Sequence, residues 1–233
     1  MNIIKLFCFP HLGGTAATYY QWKYSFPENI EICPIELAGR GERLQDPFYL
    51  NFKDMIVDIA GRVMSHDLDI YAFWGHSMGA LIAYEVSYYL RNSGVISPAH
   101  IFFSGRNAPD LKDELFFECN DENKLMKKLN EIGGIPKEIF EYPDLFDMVW
   151  PVFLSDYKIM KSYGFKLHKQ KLDSDISIIS GTNDATINYA LMSKWNSLTE
   201  KKCMFYSMQG GHFYIESNLE NLKTLIETVL KEY

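Results

Sequence analysis

Gly75-His76-Ser77-Met78-Gly79 holds a hydroxyl between two glycines, at the join of two different patterns. A short apolar run, Ile70 to Trp74, precedes it, and Leu81, Ile82, Val86, Tyr89 and Leu90 follow it at helical spacing. A strand, an abrupt turn and a helix are what a nucleophilic serine needs. The turn projects the hydroxyl from the sheet edge, and small flanking residues let strand and helix cross. The helix start also directs free N–H groups and its positive dipole end toward developing negative charge. The pattern predicts that Ser77 is a nucleophile on a strained turn.

Such a serine needs a base, and the base an orienting acid, in the chain order serine, acid, histidine. Of the six histidines, His11 and His66 precede Ser77, and His76 lies within the turn and points away from the hydroxyl. His100 begins an apolar run, and His168 has no strand before it. His212 remains, in QGGHFY between the last strand-like run and the last helix. For the acid, Asp184 follows ISII in SGTNDAT, with room before His212 for one helix and one strand. Its competing role is an Asx-turn or helix cap, which Asn183 or Thr186 also fits. Asp110, after HIFFSG, is the alternative acid.

An oxyanion hole completes the set. One donor is expected to be the N–H of Met78, and the other to come from Pro10-His11-Leu12-Gly13-Gly14, with Leu12 first and Gly13 second. His11 fits a pocket residue and a solvated turn residue equally well.

Alternating elements must position these residues. Strands are expected at 3–9, 30–36, 70–74, 100–105, 176–181 and 203–208. Helices are expected near 16–26, 51–65, 190–195 and over the last eighteen residues. That alternation predicts an α/β fold with a mainly parallel sheet covered on both faces. Residues 110–171, roughly, break it with a helical insertion into one domain spanning 1–233. Its apolar stripes, Leu125, Leu129 and Ile132, then Phe146, Val149, Trp150, Phe153, Leu154 and Tyr157, suit core packing or the underside of a lid over a pocket. Pro151 should kink or split the second.

Composition bounds the rest. The 233 residues are 47% hydrophobic with a formal charge of −7 and no basic run, which speaks against nucleic acid as a partner. Cys8, Cys33, Cys119 and Cys203 form no CxxC pair, and the first two sit in apolar runs as small hydrophobes. The start, MNIIKLFCFPH, does not suit a signal peptide, and no run is long enough to span a membrane. A reduced, cytoplasmic protein is the expectation.

LFCFPHLGG, IELAGRGERL, FWGHSMGALIAYE, FFSGRNAP, SGTNDATI and GGHFYI follow one another along nearly the whole chain. In them the chain resembles the type II (external, editing) thioesterases of nonribosomal peptide and polyketide synthesis, within the α/β-hydrolase superfamily. GHSMGA is shared with many α/β-hydrolases; GRGER, SGRNAP and GGHF are more specific. Leu12 replaces a usual Ala, and Ala38 and Ala185 replace common prolines, so Leu12 is expected to narrow the pocket mouth.

The resemblance implies hydrolysis of acyl thioesters on the phosphopantetheine arm of acyl or peptidyl carrier domains, reached in trans. It implies a lid that gates the arm, and neither metal nor bound cofactor. Lys124, Lys127 and Lys128 suit either carrier docking or a solvated helix face. Rival readings are a medium-chain fatty acyl-carrier hydrolase, a small-molecule carboxylesterase, and a non-catalytic binding protein on the same scaffold.

Overall fold

Strands form where apolar residues run nearly unbroken, because both faces of the sheet are covered. In the computed structural model, which describes residues 3–109, 121–135, 139, 141–165 and 167–233, the strands are β1 (Ile4–Phe9), β2 (Ile30–Pro34), β3 (Tyr71–His76), β4 (His100–Ser104), β5 (Asp175–Gly181) and β6 (Cys203–Met208). They pair in the order β2-β1-β3-β4-β5-β6, every pair parallel. This is the α/β-hydrolase type of sheet.

Helices α1 (Trp22–Ser25), α2 (Phe52–Met64), α3 (Met78–Asn92), α4 (Glu122–Glu131), α5 (Pro143–Ser162), α6 (Tyr189–Met192) and α7 (Leu219–Leu230) complete the frame. Alternate strand residues face opposite layers, as the twofold repeat of a strand demands. Phe7, Phe9, Phe73, Phe103 and Ile178 meet α2 and α3 through Met55, Ile59, Val63, Leu81, Val86 and Leu90. Leu6, Cys8, Trp74, Phe102 and Ile179 meet Trp22 of α1 and Leu222, Ile226 and Leu230 of α7. Each such buried side chain contributes roughly 1.5–3 kcal/mol. A cap such as Asn51, whose side chain accepts the Asp54 N–H at 3.0 Å, adds about 1 kcal/mol. Packing decides where the elements sit; caps only trim their ends.

Several expectations need correction. The helix expected over 16–26 is a 3-10 turn at Ala16–Tyr19 followed by the single turn of α1. Aromatic residues are indifferent helix formers, and here Tyr19 and Trp22 are drawn into the core at 0% and 2% exposure. The helix near 190–195 is likewise α6 continued by a 3-10 stretch, Ser193–Leu198. β2 stops at Pro34, and β3 runs on to His76.

Pro151 does not split its helix: α5 is continuous through it. The carbonyl that loses its partner is that of Asp147, and both residues are exposed, so water can take the bond. Residues 110–120, including Asp110 and Cys119, lie outside the described residues. Among the described residues no helix is long and apolar enough to cross a membrane.

Candidate active site

β1 lies between β2 and β3, so the chain leaves it in one direction and later returns on its other side. Such a switch point opens a crevice beyond the carboxyl ends of the strands. The loop after β1 and the turn after β3 are therefore neighbours, with Phe9 in register with Gly75.

Ser77 sits on that turn with φ 55 and ψ −112, and is the only non-glycine residue with positive φ among the described residues. Such a conformation costs about 1–3 kcal/mol and persists only where surroundings enforce it. Here the Ser77 N–H donates to the Ser104 carbonyl at 2.8 Å, and α3, buried along most of its length, begins at the next residue. The flanking glycines are required by space. A β carbon on Gly75 would lie 2.1 Å from the Gly79 carbonyl oxygen, and one on Gly79 2.2 Å from that of Phe9.

Asp184 and His212 come together from the loops after β5 and β6. His212 Nδ1 donates to Asp184 Oδ2 at 2.8 Å, and the two side chains are 5% and 0% exposed. The acceptor-only carboxylate thereby puts the proton on Nδ1 and leaves Nε2 as the basic nitrogen. Asp184 Oδ1 accepts from the Thr186 N–H at 2.9 Å and from Thr186 Oγ1 at 2.6 Å. One oxygen thus makes the Asx-type turn and the other orients the histidine; the two roles expected as alternatives coexist. Burial raises the Asp184 pKa, but the bond and charge of His212 and the Thr186 bonds outweigh it, and the net direction is down.

The His212 ring lies 5.1 Å from that of His76, which precedes Ser77, so His212 and Ser77 share one end of the sheet. No Ser77–His212 hydrogen bond is formed among the described residues. Bonds of this kind are commonly long without substrate and tighten around it. His76 itself points away, its Nδ1 2.8 Å from Ser104 Oγ, which meets Tyr214 Oη at 2.5 Å. His100 and His168 lie elsewhere: His100 bonds Ser177 Oγ at 2.8 Å, and His168 stacks on Tyr88 at 3.6 Å.

The first turn of a helix leaves its N–H groups without intrahelical acceptors, and the Met78 N–H has no partner among the described residues. The loop after β1 separates the two remaining candidates. Gly13 donates its N–H to Asp156 Oδ2 at 2.8 Å, so it is already engaged, whereas the Leu12 N–H is not. The Leu12 side chain is buried in the larger apolar layer. His11 is a packed residue rather than a solvated one. Its Nδ1 donates to the Leu12 carbonyl at 3.0 Å, its ring lies 5.0 Å from Phe213, and burial lowers its pKa to about 4.

Phe153, 4% exposed, reaches the same loop from α5 as Asp156 does: a β carbon on Gly13 would lie 2.2 Å from its ring. Trp150 and Phe146 continue the stack at 6.2 and 5.4 Å between successive rings. Leu125 and Leu129 of α4 are buried, while Lys124, Lys127 and Lys128 face solvent. The residues that sequence reasoning left without a site role are Thr186, whose signal was its place two residues after Asp184, and Arg40 and Asp156.

The family model described as "Thioesterase domain" matches residues 4–233. The linear gramicidin dehydrogenase LgrE of Brevibacillus parabrevis is 35% identical over 235 residues, covering 99% of this chain and 89% of its own. The medium-chain S-acyl fatty acid synthase thioesterase of Rattus norvegicus is 31% identical over 224 residues, with 91% and 82% covered. Among solved structures, ClbQ from the colibactin NRPS/PKS pathway superposes with a TM-score of 0.92 at 27% identity, over 99% of this chain and 98% of that one.

Proposed function

Because the chain belongs to the thioesterase family, we propose that it releases acyl groups held as thioesters on the phosphopantetheine arm of carrier domains in a nonribosomal peptide or polyketide synthase, and that Ser77, His212 and Asp184 carry the chemistry. The observation that carries the catalytic reading is the buried Asp184–His212 pair at 2.8 Å, at the same end of the sheet as a serine on a left-handed turn. The synthase context rests on the gramicidin and colibactin relatives.

Ser77 Oγ attacks the thioester carbonyl while His212 Nε2 takes its proton, and Asp184 stabilises the imidazolium that forms. The carbonyl oxygen becomes an oxyanion between the N–H groups of Met78 and Leu12; one such donor is worth roughly 10²- to 10³-fold in rate. The carbon–sulfur bond breaks, the thiol leaves with the proton from His212, and the acyl group stays on Ser77 as an ester. A water deprotonated by His212 attacks that ester and frees the acid. The arm arrives with the substrate, so the steps call on no metal or resident cofactor. The helices between β4 and β5 act as a lid over the arm, and exposed Lys124, Lys127 and Lys128 offer an acidic carrier a basic contact.

The test compares an acyl-loaded carrier with the matched oxygen ester across acyl lengths. Much faster release of short acyl groups from the carrier is the expected result, and equal rates on both would overturn the reading in favour of an esterase. A preference confined to medium chains would favour the second reading, a fatty acyl-carrier hydrolase, which the rat relative supports. Labelling by a fluorophosphonate should vanish in Ser77→Ala; labelling that persists there removes Ser77 from its role.

A further inference from the structure

Arg40 belongs to GRGER, between β2 and α2, and Asp156 lies two-thirds of the way along α5, yet both are buried, at 2% and 0% exposure. Arg40 Nη1 donates to Asp156 Oδ2 at 2.7 Å and Nη2 to Oδ1 at 2.5 Å. Two further bonds tie this ion pair to the loop after β1. Asp156 Oδ2 also accepts the Gly13 N–H at 2.8 Å, and Arg40 Nη1 also donates to the Gly14 carbonyl at 3.1 Å.

These bonds orient the loop one peptide plane at a time. Within a trans peptide the C=O and N–H point in roughly opposite directions, so holding one end aims the other. The Leu12–Gly13 plane is held at both ends: its N–H by Asp156, its carbonyl by His11 Nδ1 at 3.0 Å. The plane before it has its carbonyl, that of His11, bonded by the Gly14 N–H at 2.9 Å. The Leu12 N–H is left over, directed away from those contacts. Without Asp156 the Leu12–Gly13 plane keeps only the His11 bond, and two adjacent glycines let it and its neighbours rotate more freely.

The charges matter as well as the bonds. A lone carboxylate beside an oxyanion site would oppose the negative charge that develops there. Arg40 neutralises it, and its own pKa stays raised because the attraction of Asp156 and Glu36 outweighs the effect of burial. A buried ion pair is weak evidence for stability, since apolar residues of similar size often replace one without loss. A role in positioning explains what stability does not.

We propose that the Arg40–Asp156 pair is a positioning device for catalysis, which keeps the Leu12 N–H aimed as the second oxyanion donor and makes that donor depend on the seating of α5. The inference rests on Ser77 being the nucleophile of a thioester-cleaving site. Asp156 touches no reacting atom; it acts through Gly13. When α5 lifts, Asp156 leaves with it and the loop loses its clamp, so hydrolysis is switched on by the closed lid.

The test uses a short acyl thioester of a small thiol, so that carrier docking plays no part, with rates expressed per active site from end-point fluorophosphonate titration. Three variants are compared with the parent and with Ser77→Ala: Asp156→Asn, Asp156→Ala, and the double replacement Arg40→Met with Asp156→Leu. Asp156→Ala and the double variant should lower kcat by about 10²- to 10³-fold, as for loss of one oxyanion donor, with KM moved less than about three-fold. Asp156→Asn keeps an oxygen for Gly13 and should recover part of that loss.

A purely structural pair would instead reduce the titratable fraction and leave kcat per site intact. Where the single variants fold poorly, the double variant decides, because it removes both members of the pair together. A folded double variant with kcat within about three-fold of the parent overturns the proposal. If Ser77→Ala itself retains turnover, the reading of the site falls first; if it is inactive while the double variant is not, only the clamp falls.

Discussion

Replacing Asp184 by Asn changes one oxygen for one NH2, and the hydrogen bonds around it dictate the outcome. Oδ1 accepts two bonds from Thr186, at 2.9 and 2.6 Å, while Oδ2 accepts one from His212 at 2.8 Å. The amide will keep its oxygen toward Thr186 and turn its NH2 toward His212 Nδ1. That nitrogen must then accept, so the ring proton moves to Nε2, where no proton can be taken from Ser77.

The opposite amide orientation restores the useful tautomer but loses both Thr186 bonds, roughly 1 kcal/mol each, which leaves about one molecule in thirty competent. Loss of the charged partner for the imidazolium adds about 1.5–3 kcal/mol to the barrier. Together they predict a fall in kcat of between about 4 × 10²- and 5 × 10³-fold, approaching the roughly 10⁴-fold loss seen when a triad carboxylate becomes an amide. KM should change little. The assay is steady-state thioester hydrolysis at pH 7–8 with both parameters resolved, Asp110→Asn run beside it. A kcat for Asp184→Asn within ten-fold of the parent would refute the reasoning, most directly if Asp110→Asn were the inactive one.

Three further outcomes are expected. Ser77→Gly removes the left-handed strain at φ 55, worth about 1 kcal/mol or more, so the inactive variant should melt roughly 2–4 °C higher; an unchanged or lower Tm would mean the turn is not strained. His100, bonded to Ser177, has its pKa lowered to about 4 by burial. A depressed histidine contributes stability above its unfolded value near 6.5 that is lost as pH falls toward 4, here up to about 3 kcal/mol. His100→Gln should therefore flatten the denaturant midpoint against pH across that window, and parallel curves would exclude His100 as the cause. Reversing the charge of Lys124, Lys127 and Lys128 together should raise KM several-fold for an acidic carrier substrate at low salt, an effect that salt screens away. The same KM for carrier in parent and variant would remove α4 from the docking face.

Much of this was legible locally. The apolar runs that became the strands and the glycine pair around Ser77 show in short windows, because backbone strain and strand periodicity act between near neighbours. The short, aromatic-rich segment at 16–26 misled for the same reason. Its apolar spacing looked helical, while burial of Tyr19 and Trp22 settled its conformation.

What the tertiary structure decided is which distant groups meet. GRGER was visible as a motif, but nothing near Arg40 in sequence points to Asp156, which is 116 residues away, or from Gly13 to Asp156, 143 residues away. Sequence placed Leu12 ahead of Gly13 as a donor without a contact to say why, and a carboxylate from α5 engages the Gly13 N–H and leaves that of Leu12. The position of β1 between β2 and β3 brings these segments together, and a local pattern carries no information about strand order. Charges buried from separate segments are paired by the packing of the whole chain, because desolvation makes each intolerable alone.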